Sequence, residues 1–244
     1  MRKFVIIAAP RTGSNWVCSM LNSHPEILCH HEIFNPDGIH YALDHRGGDI
    51  RLGTLAERDS APLNFLAQLW QQNFGKQAVG FKINRGQNEA VFQHVLTDRS
   101  VHKIVLMRRN RIKTFVSEMI ATQTGQWESY NLAAGARQNV RLEVDVKALW
   151  RHVALNRDYY ARLQHALRSS GQEYLQVTYE HLKTEAEWLN ILRFLGVAPN
   201  ASALAPATKK QNSSDLRDLI SNYTQLESAL SGSELEAELH HLES

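Results

Sequence analysis

Phe4-Val5-Ile6-Ile7-Ala8-Ala9-Pro10-Arg11-Thr12-Gly13-Ser14-Asn15-Trp16 is the stretch whose reading decides the fold. An unbroken apolar run of this length has the pattern of a strand buried on both faces of a parallel sheet. Pro10 to Ser14 breaks the run. Asn15 to Ser23 then has helical spacing, with Trp16, Met20 and Leu21 on one side. A strand, a small-residue loop and a helix in that order open an α/β nucleotide-binding domain. The loop sets several backbone N–H groups and the positive end of a helix around one point, which suits phosphate or sulfate. Gly13 allows close backbone approach, Thr12, Ser14 and Asn15 add donors, and Arg11 adds fixed charge.

Outward from this unit the alternation continues. Strands are expected at 26–29, 78–83, 101–107 and 174–178. Helices are expected at 62–74, 88–96, 110–122, 142–167 and 216–230. A capping box at Thr184 and Glu187 opens a further helix that Gly196 closes. Residues 35–60 show no periodicity, as functional loops often do. Trp70, Trp150 and Trp188 fall on apolar helical stripes and belong to the core; Trp16 either joins that core or lines a nucleoside site. With no repeat and no linker, one domain is expected over 1–244, with 231–244 a frayed tail.

A second cluster lies where the strand 101–107 ends, the ligand edge of open α/β sheets. Arg108 and Arg111 individually fit a solvated basic turn, whereas Arg109 with Ser117 on the next helix fits an anion site. Cys29-His30-His31-Glu32 does not make a metal site, because neighbours on a strand point to alternate faces. No metal is expected. The formal net charge of +2 and the lack of a basic run argue against nucleic acid as a partner. Two cysteines cannot build a disulfide scaffold, which points to reduced thiols in a cytoplasmic setting. The opening Met-Arg-Lys and apolar run lack a small-residue cleavage site, and no transmembrane segment is expected. A serine hydrolase has no nucleophile elbow here.

These motifs resemble a known family. Pro10 to Trp16 is similar to the 5′-phosphosulfate loop of the sulfotransferases that use 3′-phosphoadenosine 5′-phosphosulfate (PAPS). Arg109 with Ser117 resembles their 3′-phosphate motif, and Tyr179-Glu180-His181-Leu182 their Tyr-Glu-Asp-Leu segment, whose Tyr lies near the adenine. Thr208 to Asn212 and the residues after it resemble the Lys-Gln-Asn stretch of bacterial enzymes of the nodulation-factor and glycolipid type. The resemblance implies a P-loop-NTPase-like three-layer sandwich with a central, mostly parallel sheet and helices on both faces. It implies a donor site of Arg11, Thr12, Gly13, Ser14, Asn15, Trp16, Arg109, Ser117, Tyr179, Lys210, Gln211 and Asn212.

Two positions depart from the pattern. Arg11 stands where many members have Lys, and Asn84 stands where the animal cytosolic enzymes carry a catalytic His two residues after the Lys that Lys82 resembles. The expected base is therefore Glu32, just past the strand 26–29 and able to reach the edge that holds Arg11. Glu32-Ile33-Phe34-Asn35-Pro36 also resembles the glutamate segment of bacterial carbohydrate sulfotransferases. Catalysis is assigned to Glu32, Arg11 and Lys82, with a carbohydrate or glycolipid hydroxyl as acceptor, its pocket shaped by 35–60 and 123–137. A nucleotide-dependent kinase is disfavoured by the missing Gly-x-x-x-x-Gly-Lys-Ser/Thr pattern. A non-catalytic nucleotide-binding module is the other alternative.

Overall fold

The computed structural model describes residues 1–46, 48, 52–127, 140–205 and 215–241. Its centre is a five-stranded sheet of β1 (Arg2–Ala8), β2 (Ile27–His30), β3 (Ala78–Asn84), β4 (Val101–Met107) and β5 (Tyr174–Thr178) in the order β2-β3-β1-β4-β5. Every pairing is parallel, β1 running between β3 and β4 with Ile6 opposite Lys82 and Ile104.

Pleat alternation divides the apolar run of β1 between two layers. Val5 and Ile7 join a core with α3 (Pro62–Gln71), α4 (Glu89–Thr97) and α6 (Val146–Ser169), through Phe65, Leu69, Val91, Val95 and Leu163. Phe4, Ile6 and Ala8 face α1 (Ser14–Asn22) and α7 (Glu185–Phe194), through Val17, Leu21, Trp188 and Leu192. Phe4 to Ala8 are wholly buried, and burying each large side chain stabilises the fold by about 1.5–3 kcal/mol. This is the expected α/β sandwich. A third core joins α5 (Arg111–Thr124) and α6 to α8 (Tyr223–Leu230) and α9 (Glu236–His240).

Several boundaries differ from the sequence reading. The irregular stretch 35–60 contains α2 (Leu55–Ser60), opened by a capping box of Thr54 and Glu57. At Thr184 no such box forms: the hydroxyl donates to His181 O (2.8 Å) and caps no N–H of α7. α6 begins at Val146 because the Asp145 side chain accepts from Ala148 N. Residues 216–230 divide into a 3-10 turn, Leu216–Asp218, and α8. Between them Asn222 bonds both N and O of Val144 (2.9 and 3.0 Å). The expected frayed tail is instead tied down as far as 241. Leu235 and Leu239 are buried, and Arg111 pairs with Glu234 (3.1 Å) and Glu238 (2.5 Å). Among the described residues no helix is long and apolar enough to cross a membrane.

Candidate active site

β1 and β4 are adjacent, yet the chain leaves them toward opposite ends of the sheet, since β1 leads through α1 to β2 and β4 leads to α5. Such a point opens a crevice at the carboxyl ends of the strands. The loop after β1 fills it. Arg11 and Gly13 both take positive φ (62° and 88°), curling the backbone into a concavity that fits an anion, with the N-terminus of α1 behind it. A Cβ on Gly13 would come within 2.4 Å of the Tyr179 ring, so glycine is required there by space as well as by φ. Thr12 Oγ1 bonds Ala9 O (2.9 Å) and closes the turn. Below it the buried Tyr160 hydroxyl accepts from Ala9 N (2.9 Å) and donates to Leu106 O (2.7 Å), joining the ends of β1 and β4.

Of Glu32, Arg11 and Lys82, two are in contact, Lys82 and Glu32. Lys82, 2 % exposed, lies between the loop and the turn after β2: its Nζ is 3.4 Å from Ser14 Oγ, donates to Asn15 Oδ1, and pairs with Glu32 Oε1 at 2.6 Å. Glu32 Oε2 accepts from Asn35 Nδ2 and Gln87 Nε2, both at 2.6 Å. Burial pushes the Glu32 carboxyl up, but the Lys82 charge and the bonds from Lys82, Asn35 and Gln87 outweigh it and hold the group at about 2. The imidazole of His31 touches Asn15 Oδ1 (3.2 Å) and is kept neutral by burial and by Lys82.

On the other side of the loop, Arg11 Nε donates to Ser117 Oγ (2.9 Å) and Nη1 to Trp127 O (2.7 Å). Burial, and then Arg108, lower the Arg11 pKa. Arg108 is no solvated turn residue. Its guanidinium lies 4.7 Å from the centre of the Tyr179 ring and donates to Arg11 O (3.2 Å). Arg111 is tied to α9, as described. Arg109 reaches the 3-10 segment Tyr179–Lys183, its Nη2 2.9 Å from His181 Nε2, while Glu180 accepts from its backbone N–H (2.9 Å). Ser117 thus bonds Arg11, and the Arg109 side chain is directed to His181. Trp16 packs edge-on against Tyr179 (5.7 Å) and Trp188 (5.6 Å), joining the core that Tyr179 borders. Lys210, Gln211 and Asn212 lie outside the described residues.

Asn35, Gln87 and Arg58 are contributors that sequence reasoning missed. Arg58 on α2 is 1 % exposed, and its Nη1 lies 2.7–2.9 Å from the carbonyls of Ile33, Asn35 and Gly38, fixing the turn that follows Glu32. The only sequence signal for it was the Thr54-x-x-Glu57 box, which places α2. Among the described residues no group of three or more His, Cys, Asp or Glu could hold a metal ion.

Residues 1–239 match the family model described as the sulfotransferase domain. Nodulation protein H of Rhizobium tropici is 27% identical over 233 residues, covering 94% of this chain and 89% of the relative. Nodulation protein H of Rhizobium meliloti (strain 1021) is 25% identical over 229 residues, covering 91% and 89%. The crystal structure of a sulfotransferase from Alicyclobacillus acidocaldarius shares the fold at a TM-score of 0.51 and 16% identity, covering 99% of this chain and 96% of that one.

Proposed function

The chain belongs to the sulfotransferase-domain family, and from that premise we propose that it transfers a sulfuryl group from PAPS to a hydroxyl of a carbohydrate or glycolipid in the cytoplasm. The observation that supports the reading best is the meeting of Lys82 with Glu32 and with Asn15 of the loop 10–16.

The loop and Arg11 hold the 5′-phosphosulfate, and Lys82 reaches the same point from β3. Arg109 and Ser117 take the 3′-phosphate, Arg109 turning from His181 to do so, and the Tyr179 wall with Trp16 borders the adenine. Lys210, Gln211 and Asn212 complete the donor side. The acceptor hydroxyl gives its proton to Glu32 as its oxygen bonds to sulfur. The bond from sulfur to the bridging oxygen breaks, and that oxygen leaves on adenosine 3′,5′-bisphosphate. Charge develops on the leaving oxygen, so fixed cations at Arg11 and Lys82 lower the barrier by electrostatics. The donor's anion competes with Glu32 for Lys82. Its arrival raises the carboxylate's basicity at the moment a base is needed. The acceptor class rests on the likeness of 32–36 and 208–212 to bacterial carbohydrate sulfotransferases and on the nodulation-protein relatives.

Glu32→Gln tests this reading. Single-turnover transfer should fall at least about a hundredfold with nucleotide affinity nearly unchanged. Retention of most of the rate would remove Glu32 from the role. The donor is tested by thermal shift: adenosine 3′,5′-bisphosphate should raise Tm well above AMP or ATP, and equal shifts would refute a two-phosphate site.

A further inference from the structure

Beside the Arg11–Ser117 contact lies a polar chain that the transfer scheme leaves unused. It begins at Arg85, whose backbone N–H bonds Ala8 O (2.9 Å) next to the loop. A guanidinium can only donate, so Arg85 Nη1 fixes Asn156 Oδ1 (2.8 Å) as an acceptor. Asn156 Nδ2 then donates to His152 Nε2 (2.9 Å). Thr114 Oγ1 also lies 3.1 Å from Nε2, and the other ring nitrogen, Nδ1, stands 3.5 Å from Glu118 Oε2. The chain ends there. Glu118 Oε2 is buried and has no hydrogen bond, and a desolvated carboxylate oxygen without a close donor is a costly feature that calls for a reason.

Glu118 also lines an open groove of about 400 Å³ with Phe115, Met119, Thr122, Gln123 and His152, within the range of small-molecule sites. One residue before it, Ser117 holds Arg11, and just beyond the groove Trp127 gives Arg11 its carbonyl. Burial holds the Glu118 carboxyl above its ordinary pKa, against the opposing pull of the nearby Arg85 and Arg11 charges. Oε2 thus has room for a closer hydrogen-bond donor than His152, while positive charge is already near. Hydroxyl groups supply donors without charge, and Phe115 and Met119 offer an apolar wall for a C–H face.

We propose that this groove is the acceptor subsite, in which Glu118 takes hydrogen bonds from hydroxyls of a neutral sugar ring resting on Phe115 and Met119. The inference rests on the carbohydrate reading above and deepens it. The chain has four methionines, so methyl-13C-methionine labelling gives a near-empty NMR spectrum in which Met119→Leu identifies the groove signal. The protein, loaded with adenosine 3′,5′-bisphosphate, is titrated with methyl glycosides of glucose, galactose, mannose and N-acetylglucosamine. At least one should move the Met119 signal saturably. Glu118→Ala should weaken that binding at least about tenfold, and Glu118→Gln, which keeps the volume, about threefold to tenfold. Neither should weaken the nucleotide. A Met119 signal that no glycoside moves, or unchanged affinity in both variants, overturns the proposal. Sugar binding in the groove without any sulfuryl transfer would sink the functional reading and spare the subsite. Transfer with an acceptor KM untouched by both variants would do the reverse.

Discussion

Replacing Lys82 with Met removes the cation that pairs with Glu32 at 2.6 Å while keeping most of the side-chain volume. In the native protein Glu32 sits at about 2 rather than the usual 4.5, worth about 3 kcal/mol at neutral pH at ~1.36 kcal/mol per tenfold. Breaking a buried pair from one side costs about 3–5 kcal/mol, and proton uptake by the stranded carboxyl keeps the loss near the lower figure. In a chain of this length about 3 kcal/mol corresponds to a fall in Tm of about 6–12 °C. The loss has a pH signature. Because the folded carboxyl is depressed, its stabilisation is fully present above about 4.5 and disappears as pH falls through about 2. The gap between wild type and Lys82→Met should therefore be full at pH 7 and roughly two-thirds gone by pH 3. Urea denaturation at the two pH values measures it. Adding Glu32→Gln to Lys82→Met should recover most of the stability at pH 7. An equal gap at both pH values, or no recovery in the double variant, would mean that Lys82 acts by packing and that its charge does not govern Glu32.

Two further outcomes follow from the loop. Gly13→Ala combines positive φ with a methyl driven into Tyr179, and should cost about 2–4 kcal/mol in chemical denaturation while weakening adenosine 3′,5′-bisphosphate in the same protein. Tyr160→Phe strands a buried N–H at Ala9 and a carbonyl at Leu106. It should cost about 2–4 kcal/mol in urea melts, and amide exchange at Ala9 should accelerate.

How much of this could be read from the chain varies with the kind of signal. The strands 101–107 and 174–178 were legible to the residue because short apolar runs bounded by polar neighbours leave little choice of register. The loop 10–16 was legible because its chemistry is contiguous. Lys82 and Glu32 were legible through resemblance, since nothing periodic marks a polar residue at a strand end. Gln87 had no signal, because a carboxylate and its partner 55 positions later are joined only by the sheet order, and Arg58 had only the Thr54-x-x-Glu57 box that places α2. Thr54 and Thr184 show the limit of a local motif. Both precede an acidic residue by three, yet the Thr184 hydroxyl turns back to His181 O and leaves the helix uncapped.

The place of β1 at the centre of the sheet has a consequence for biosynthesis. β1 is synthesised before both of the strands that flank it, β3 and β4. Its apolar run ends at Ala9, and its partner β4 is complete only at Met107. At about 5–20 residues per second, that run spends roughly 5–20 s without its full complement of neighbours. Long-range parallel pairing is also slow to form. The nascent chain therefore carries an adhesive segment until β4 is made, so holding chaperones that bind apolar segments should raise the yield of soluble protein, and mutations that slow the docking of β3 or β4 should show first as aggregation during expression.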